Sequence, residues 1–392
     1  MEDIAHLLME KIPKYYPMFR VWLGPIPLIV VIEPEIIQKV LVQSLEKSWF
    51  VKKFASDMAG DSILTSKGST MGVDIDIHND GISYFHAIQS GFHLAFDRGF
   101  RPWKHPDIIY NLTEDSKKMR ENRKIINGLT SKIISEKRNK QKNFRINDSL
   151  NENNNTVKNT FQKPLLDYLI DITENSTKFT DEHLRDEINL IIIAGYETTA
   201  NALSFVLLNL AAHKDIQQKV YDELQIILGK DSSRMIELYD LPKLTYMEMV
   251  IKETLRLYTT VPLILRQPTT DIKIGDYIIP KGCTCVIPII CLHRDEKIWE
   301  NPLKFDPERF TPQNIKTRHP YAYIPFSNGP RNCIGDKYAM LFMKTLLSIL
   351  LTRFEFHTHL KMNELKFQFE LSLKLVGGHQ VRITPRNVKH EI

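Results

Sequence analysis

The chain has 392 residues, 43% of them hydrophobic and 25% charged, with a formal net charge of +5. This ordinary globular mixture is long enough for one to three domains and can bury a sizeable core, which excludes a disordered or fibrous chain. The slight basic excess allows an acidic partner surface or anionic lipid but is too weak to indicate nucleic acid. Four cysteines, Cys283, Cys285, Cys291 and Cys333, are too few for a disulfide scaffold and suit a reducing compartment. No uninterrupted run of eighteen apolar residues marks a membrane span, and the acidic start Met1-Glu2-Asp3-Ile4 lacks the apolar core of a signal peptide.

Near the start, Gly24, Pro25 and Pro27 exclude helix, and Leu28 to Ile32 reads as strand. Ile82 to Phe100 has a helical spread of aromatics at Tyr84, Phe85, Phe92, Phe96 and Phe100. Two prolines, Pro102 and Pro106, break it. Thr113 to Lys140 reads as a long polar helix with an apolar stripe (Met119, Ile125, Ile126, Leu129, Ile133, Ile134). Lys137 to Lys163 is basic and then Asn-rich, which predicts a mobile surface loop within one domain. A short helix follows over Pro164 to Ile172. Thr180-Asp181-Glu182 then opens a helix that runs to about His213, because a hydroxyl cap and two acids suit the positive end of the helix dipole. Further helices are expected at Ile216–Leu228, Tyr246–Tyr258 and Asp336–Phe354, strands within Asp271–Pro288, and a tail hairpin from Phe367 to Ile383 turning at Gly377-Gly378. The fold class is mainly α with a small β part, in a single domain spanning residues 1–392.

The chemistry concentrates in Pro325-Phe326-Ser327-Asn328-Gly329-Pro330-Arg331-Asn332-Cys333-Ile334-Gly335. Glycines flank one cysteine, which permits a tight backbone and the close approach of a flat ligand. A cysteine just before a helix N-terminus sits in positive potential, which favours thiolate. Arg331 adds a charge that could hold an anionic group. The stretch resembles the Phe-x-x-Gly-x-Arg-x-Cys-x-Gly signature of the cytochrome P-450 (haem-thiolate monooxygenase) family, and Ala339 matches its trailing alanine. The resemblance implies haem b with Cys333 as axial thiolate, set in a cradle of Phe326, Gly329 and Gly335.

Other segments agree with that resemblance. Glu253-Thr254-Leu255-Arg256, with Arg309 in Phe305-Asp306-Pro307-Glu308-Arg309-Phe310, implies a buried structural network of Glu253, Arg256 and Arg309. Ala194-Gly195-Tyr196-Glu197-Thr198-Thr199 puts an acid and hydroxyls in an apolar helix centre, where Gly195 and Thr198 would open a groove. It is similar to the family's oxygen-binding segment, which implies that Ala194 and Gly195 lie against the haem and that Glu197 and Thr198 relay protons. Val261-Pro262-Leu263-Ile264-Leu265-Arg266 and His293-Arg294-Asp295 match family segments as well. They imply that Arg266 and Arg331 pair the haem propionates and that His293 lies near the haem edge. A zinc site from Cys283, Cys285, Cys291 and His293 lacks the usual ligand spacing, and the strand pattern explains those cysteines.

Ile272 to Pro307, Arg318 to Phe326, and Arg101 to Pro106 look like the microsomal branch that holds fatty-acid omega-hydroxylases and their insect relatives. Some members of that branch link haem covalently through a glutamate. Ala194 stands at that position here, so no ester link is expected. The family's Trp-x-x-x-Arg helix has no match, since Trp22, Trp49, Trp103 and Trp299 are followed four residues on by Ile26, Lys53, Asp107 and Leu303. Asp61–Gly68 and Ser69–Val73 resemble segments that are well separated in the family. The P-450 fold is therefore expected to be incomplete before residue 69, with an internal deletion at 68/69 and no N-terminal membrane anchor.

The implied activity is insertion of one atom of O2 into a lipophilic substrate (fatty acid, hormone or xenobiotic), with electrons from NADPH through a reductase. Cytochrome b5 and a membrane surface are implied as partners, on the cytosolic face of the endoplasmic reticulum. The alternative is a catalytically impaired short splice form or incomplete gene product that binds haem weakly or only engages partners. A reductase-independent isomerase is disfavoured by the acid–threonine pair Glu197-Thr198. The pocket lining is expected from Ile82–Phe100, Ile193–Thr198, Val261–Leu265 and the tail near Val376.

Overall fold

A computed structural model of the chain describes residues 12–53, 81–150, 165–175, 179–229, 234–370 and 372–386. The expected junction at 68/69 lies outside the described residues. The principal helices are α1 (Pro34–Gln43), α2 (Gly81–Phe100), α3 (Asp107–Asn111), α4 (Glu114–Leu150), α5 (Leu165–Asn175) and α6 (Asp181–Ala212). They continue with α7 (Lys214–Leu228), α8 (Thr245–Leu257), α9 (Ile289–Leu292), α10 (Pro312–Lys316) and α11 (Asp336–Arg353). The strands are β1 (Met18–Leu23), β2 (Ile26–Val31), β3 (Ile264–Arg266), β4 (Ile272–Ile274), β5 (Tyr277–Ile279) and β6 (Thr284–Ile287). The last four are β7 (Phe354–His357), β8 (Phe367–Phe369), β9 (Leu373–Leu375) and β10 (Arg382–Pro385). The class is mainly α with a small β part, as the periodicities indicate.

The contacts define two compact units. The first holds residues 1–48 and 195–392, and the second holds 49–194. The boundary falls inside α6, between Ala194 and Gly195.

In the second unit, α2 and α4 bury Tyr84, Ile88 and Phe92 against Met119 and Ile126. Ile134 of α4 joins Leu166 and Ile170 of α5 and Leu184 and Ile188 of α6 in another apolar cluster. The expected capping of α6 is present, since His183 N donates to Thr180 Oγ1 at 3.3 Å. The loop expected from residue 137 is corrected: α4 continues through Leu150, and 151–164 lie outside the described residues. The basic run is held to the neighbouring helices by charge. Lys137 Nζ stands 3.1 Å from Asp167, and Arg138 Nη1 donates to Asp181 at 2.8 Å. A composition that reads as solvated loop is thus paired along a helix face.

In the first unit a four-stranded sheet has the order β1-β2-β6-β3. Gly24, at φ +60°, lets β1 turn back on β2. β6 runs parallel to β2 and antiparallel to β3, pairing Cys285 with Arg266. Pro34 opens α1, where its missing N–H is no loss. The buried side chains Ile36, Ile37, Val40 and Leu41 of α1 pack with Ile272, Ile279, Ile287, Tyr321 and Ile324. That cluster seats the start of the cysteine loop.

α6 is the one helix among the described residues long and apolar enough to cross a membrane by length and composition. A search for an uninterrupted apolar run does not register it, because Glu197, Thr198 and Asn201 interrupt the run. Leu203, Phe205, Val206, Leu208 and Leu210 are buried in the core, as in the central helix of a folded domain.

The tail is also corrected. The hairpin is β8 with β9, Phe367 opposite Leu375, so it turns between Phe369 and Leu373. Gly377 and Gly378, at φ +81° and +77°, redirect the chain to β10, which pairs with β7.

Candidate active site

Glu253 and Arg256 are three apart on α8, on one face, and both are 0% exposed. Arg256 donates to both carboxylate oxygens, at 2.7 and 2.8 Å, and its third nitrogen donates to the His293 carbonyl at 2.7 Å. Asp306 N adds a bond to Glu253 at 2.9 Å, and Arg309 Nε stands 3.4 Å away. The structure thus brings Glu253, Arg256 and Arg309 together. Burial pushes the Glu253 carboxyl above its ordinary range, against the pull of Arg256.

His293 is fully buried, and its Nε2 accepts the Ile324 N–H at 2.9 Å. The ring stacks on Tyr323, with centroids 5.2 Å apart. Burial, with Arg256 beside it, holds the imidazole down to about 3. Its place is a brace for the run leading into the cysteine loop, where the resemblance implies the haem edge. Cys283 and Cys285 have sulfurs 4.0 Å apart, and Cys285 and Cys291 are buried.

Cys333, in contrast, is exposed. Its N–H donates to Phe326 O at 2.8 Å, closing the loop across the turn. Within that turn Ser327 has φ +62°, a sparsely populated conformation for a residue with a side chain. Gly329 has φ +84°, and a Cβ there would meet Leu41 O of α1 at 3.1 Å. Glycine is required at 329 by the backbone and by the packing. Gly335 differs, because its φ is −86° and a Cβ would meet only Cys333 Sγ, at 3.8 Å. Nothing in the chain's own packing demands a glycine there, so the requirement points outward from the loop. Although the residue as a whole is exposed, its neighbours keep water from the sulfur, and this desolvation outweighs the Gly335 and Asp336 amides and Lys47, pushing the Cys333 thiol up. The helix end alone does not ionise it.

Arg266, at the end of β3, is 5% exposed and points to the same loop. It donates to Arg331 O at 3.2 Å and to Ser327 Oγ at 3.4 Å, and its Nε is buried without a hydrogen-bond partner. Burial, with Arg331 nearby, holds its guanidinium down to about 10.

On α6, Glu197 Oε1 accepts from Ser372 Oγ at 2.7 Å, and Lys374 Nζ stands 3.5 Å away. Glu197 Oε2 is buried without a partner. The tail hairpin is fixed to the same helix, since Asn201 Nδ2 donates to Leu373 O at 2.5 Å. The helix stays continuous through Gly195–Thr198, so no local loosening is visible; a Cβ on Gly195 would meet nothing within 4 Å. Ala194 and Gly195 are exposed. Of the expected lining, Val261–Leu265 and the tail lie in the unit that holds Cys333, and α2 lies in the other. Sequence reasoning missed Ser372 and Lys374 beside Glu197. The pattern carries no signal for them, because a pair 175 residues apart is set by the fold.

A family profile described as Cytochrome P450 matches residues 62–381. The chain belongs to the cytochrome P450 family. Among curated relatives, it is 34% identical over 355 residues to cytochrome P450 4c21 of Blattella germanica, covering 89% of this chain and 70% of that one. It is 29% identical over 440 residues to human cytochrome P450 4V2, covering 95% and 83%. It is 34% identical over 366 residues to cytochrome P450 4g1 of Drosophila melanogaster, covering 87% and 65%. The 440-residue alignment exceeds the 392 residues of this chain, so the human relative carries residues inside the aligned span that this chain lacks.

This P450 is an oxidoreductase of the monooxygenase class, and the family's cofactor is haem b with a cysteine thiolate as axial ligand. The residues present fit that group. Cys333 is exposed on a loop to which Arg266 is bonded through Arg331 O, and the buried, unpartnered Arg266 Nε suits a carboxylate of the cofactor. Iron coordination would supply the ionisation that the helix end does not, since a coordinating thiol is deprotonated outright.

Proposed function

We propose that this P450 inserts one atom of O2 into a C–H bond of a lipophilic substrate, drawing electrons from NADPH through a reductase. The haem supplies electron transfer and dioxygen activation when bound. Cys333 would be its axial ligand, Phe326, Gly329 and Gly335 its loop, and Arg266 and Arg331 the holders of its carboxylates. Ala194 and Gly195 would lie against the ring. Glu253, Arg256 and Arg309 would anchor the core around the loop without taking part in chemistry.

The observation that carries the reading is the Glu197 carboxylate. One oxygen is fixed by Ser372, and the other is buried and unpaired in an otherwise apolar helix. Leaving that oxygen unmatched is costly unless it is used, and proton transfer uses it. Thr198, the adjacent hydroxyl, would share the relay. The substrate class, cytochrome b5 as a second electron donor, and residence on the cytosolic face of the endoplasmic reticulum membrane belong to the same reading. So does a single family domain spanning the chain.

The reduced carbon monoxide difference spectrum of this chain is the test, followed by NADPH-dependent oxygen consumption with a reductase. A thiolate-type Soret band that Cys333→Ala removes is the expected result. A folded chain without that band would overturn the reading.

A second reading has its own support. The human alignment is longer than this chain, which favours residues missing within it and a short form that binds haem weakly or only engages partners; the reading puts that junction at 68/69. Transcript sequencing across codons 68–69 separates a genuine short form from an incomplete gene product.

A further inference from the structure

Two of the four cysteines meet outside the site described above. Cys283 and Cys285 stand two apart in sequence, and their sulfurs lie 4.0 Å from each other. The cause is local, since alternation along an extended chain puts both thiols on one face. Thr284 between them bonds Ser48 Oγ at 2.7 Å through its own hydroxyl. Cys285 is buried in β6, in register with Ile29 of β2 and Arg266 of β3. Cys283 precedes that strand and is half-buried. It follows Gly282, at φ +79°, at the end of the turn after β5.

One sulfur is thus within reach of solvent, and the other is held in the sheet beside it. The Cys285 thiol bonded to the Cys283 sulfur holds the Cys283 thiol below its ordinary range, and the same contact with burial pushes the Cys285 thiol up. The half-buried sulfur is therefore the better nucleophile of the two. Two residues of extended chain span about 6.5 Å between Cα atoms, near the upper end of what a disulfide bridges. Cys283 lies outside the strand ladder, so it is the end free to close the gap. A bridge of that span is readily reduced, which suits a reversible modification rather than a structural link.

We propose that Cys283 and Cys285 form a reversible dithiol–disulfide site whose oxidant is a hydroperoxide. The Cys283 thiolate attacks one peroxide oxygen and the O–O bond breaks. The leaving oxygen takes up the proton that Cys283 released and departs as water or an alcohol. The Cys285 sulfur then attacks the Cys283 sulfenic acid. The S–S bond forms as the S–O bond breaks, and the hydroxide leaves as water with the Cys285 proton. Two thiols are oxidised and one peroxide is reduced, and a dithiol reductant reverses the step. The site does not depend on haem. Cys285 lies across the sheet from Arg266, so the bridge would end one strand from the bonds to Ser327 and Arg331 O that hold the cysteine loop.

The test is to treat the purified full chain with hydrogen peroxide, alkylate the remaining thiols with iodoacetamide in denaturant, and map the tryptic peptides by mass spectrometry. Wild type and Cys283→Ser are compared after far-UV circular dichroism shows the same fold. The informative peptide runs from Gly282 to Arg294 and holds Cys283, Cys285 and Cys291. In wild type most of it should carry a bridge between Cys283 and Cys285, lighter by two hydrogen atoms, with Cys291 alkylated. Dithiothreitol before alkylation should return all three residues to the alkylated form. In Cys283→Ser the same dose should leave Cys285 and Cys291 alkylated. A wild-type peptide with all three residues alkylated after treatment would overturn the proposal. So would a bridge to Cys291, or Cys283 carried to sulfinic acid with no bridge formed.

Discussion

Replacing Arg256 by methionine isolates the energetics of the buried anchor. The substitution removes the two bonds to Glu253, at 2.7 and 2.8 Å, and the bond to His293 O. Glu253 keeps the Asp306 N–H and the Arg309 side chain at 3.4 Å. Both partners are fully buried, so the relevant figure is that for orphaning a buried charge, about 3–5 kcal/mol. An exposed pair would give about 0–1 kcal/mol. The variant's deficit should also depend on pH. Burial already raises the Glu253 carboxyl in the folded state, and losing Arg256 raises it further. A carboxyl with a raised folded pKa contributes most below its unfolded pKa, and that contribution is lost as pH rises through the folded value. The difference between wild type and variant should therefore be larger at about pH 7.5 than at about pH 5. Urea unfolding followed by tryptophan fluorescence measures it, since the Trp299 ring lies 4.9 Å from the Arg256 guanidinium. Removing both charges, as in Glu253→Leu with Arg256→Met, should cost less than the single change. A single-variant deficit below about 1 kcal/mol, or one independent of pH, would refute the buried-charge argument.

Four further outcomes follow from the geometry. His293 is held neutral to about 3, so its contribution is complete above the unfolded pKa of about 6.5 and is lost as pH falls toward the folded value. At most about 1.4 kcal/mol per pH unit should disappear in that window, and His293→Gln, which keeps an acceptor for Ile324 N, should flatten the slope in urea unfolding. Gly329→Ala should lose about 1–2 kcal/mol in thermal unfolding, because φ is +84° and Leu41 O lies 3.1 Å from the new Cβ. Gly335→Ala should leave stability within about 0.5 kcal/mol and change haem affinity instead, which a haem titration reads separately. Glu197→Gln should keep haem binding and lower coupled turnover by about 100-fold in an NADPH-driven assay that also quantifies peroxide.

The cysteine loop and the α8 pair were legible in the sequence because their chemistry is local. Glu253 and Arg256 are one helical turn apart, and residues 326–335 form one turn feeding α11. Ser372 was not legible. It meets Glu197 across the fold, and it does not differ in type or context from a surface residue. The helix past Lys137 was hidden for another reason: its basic side chains pair with Asp167 and Asp181 on other helices, which no window of composition contains. The tail misled because Gly377-Gly378 has the right backbone for a hairpin, yet the pairing partner of β10 is β7.

The link between Ser372 and Glu197 has a consequence for how the end of the coding sequence can vary. Leu373 N donates to Thr260 O at 2.9 Å, so the hairpin is tied to the middle of the chain as well as to α6. A stop codon between Arg353 and Ser372 would leave every residue of the cysteine loop in place and still strip Glu197 of its hydroxyl partner. Such a shortened protein would keep Cys333 and lose the fixed orientation of Glu197. Under the proposed proton relay, variation in the last tenth of the gene would bear on turnover without touching the cysteine loop.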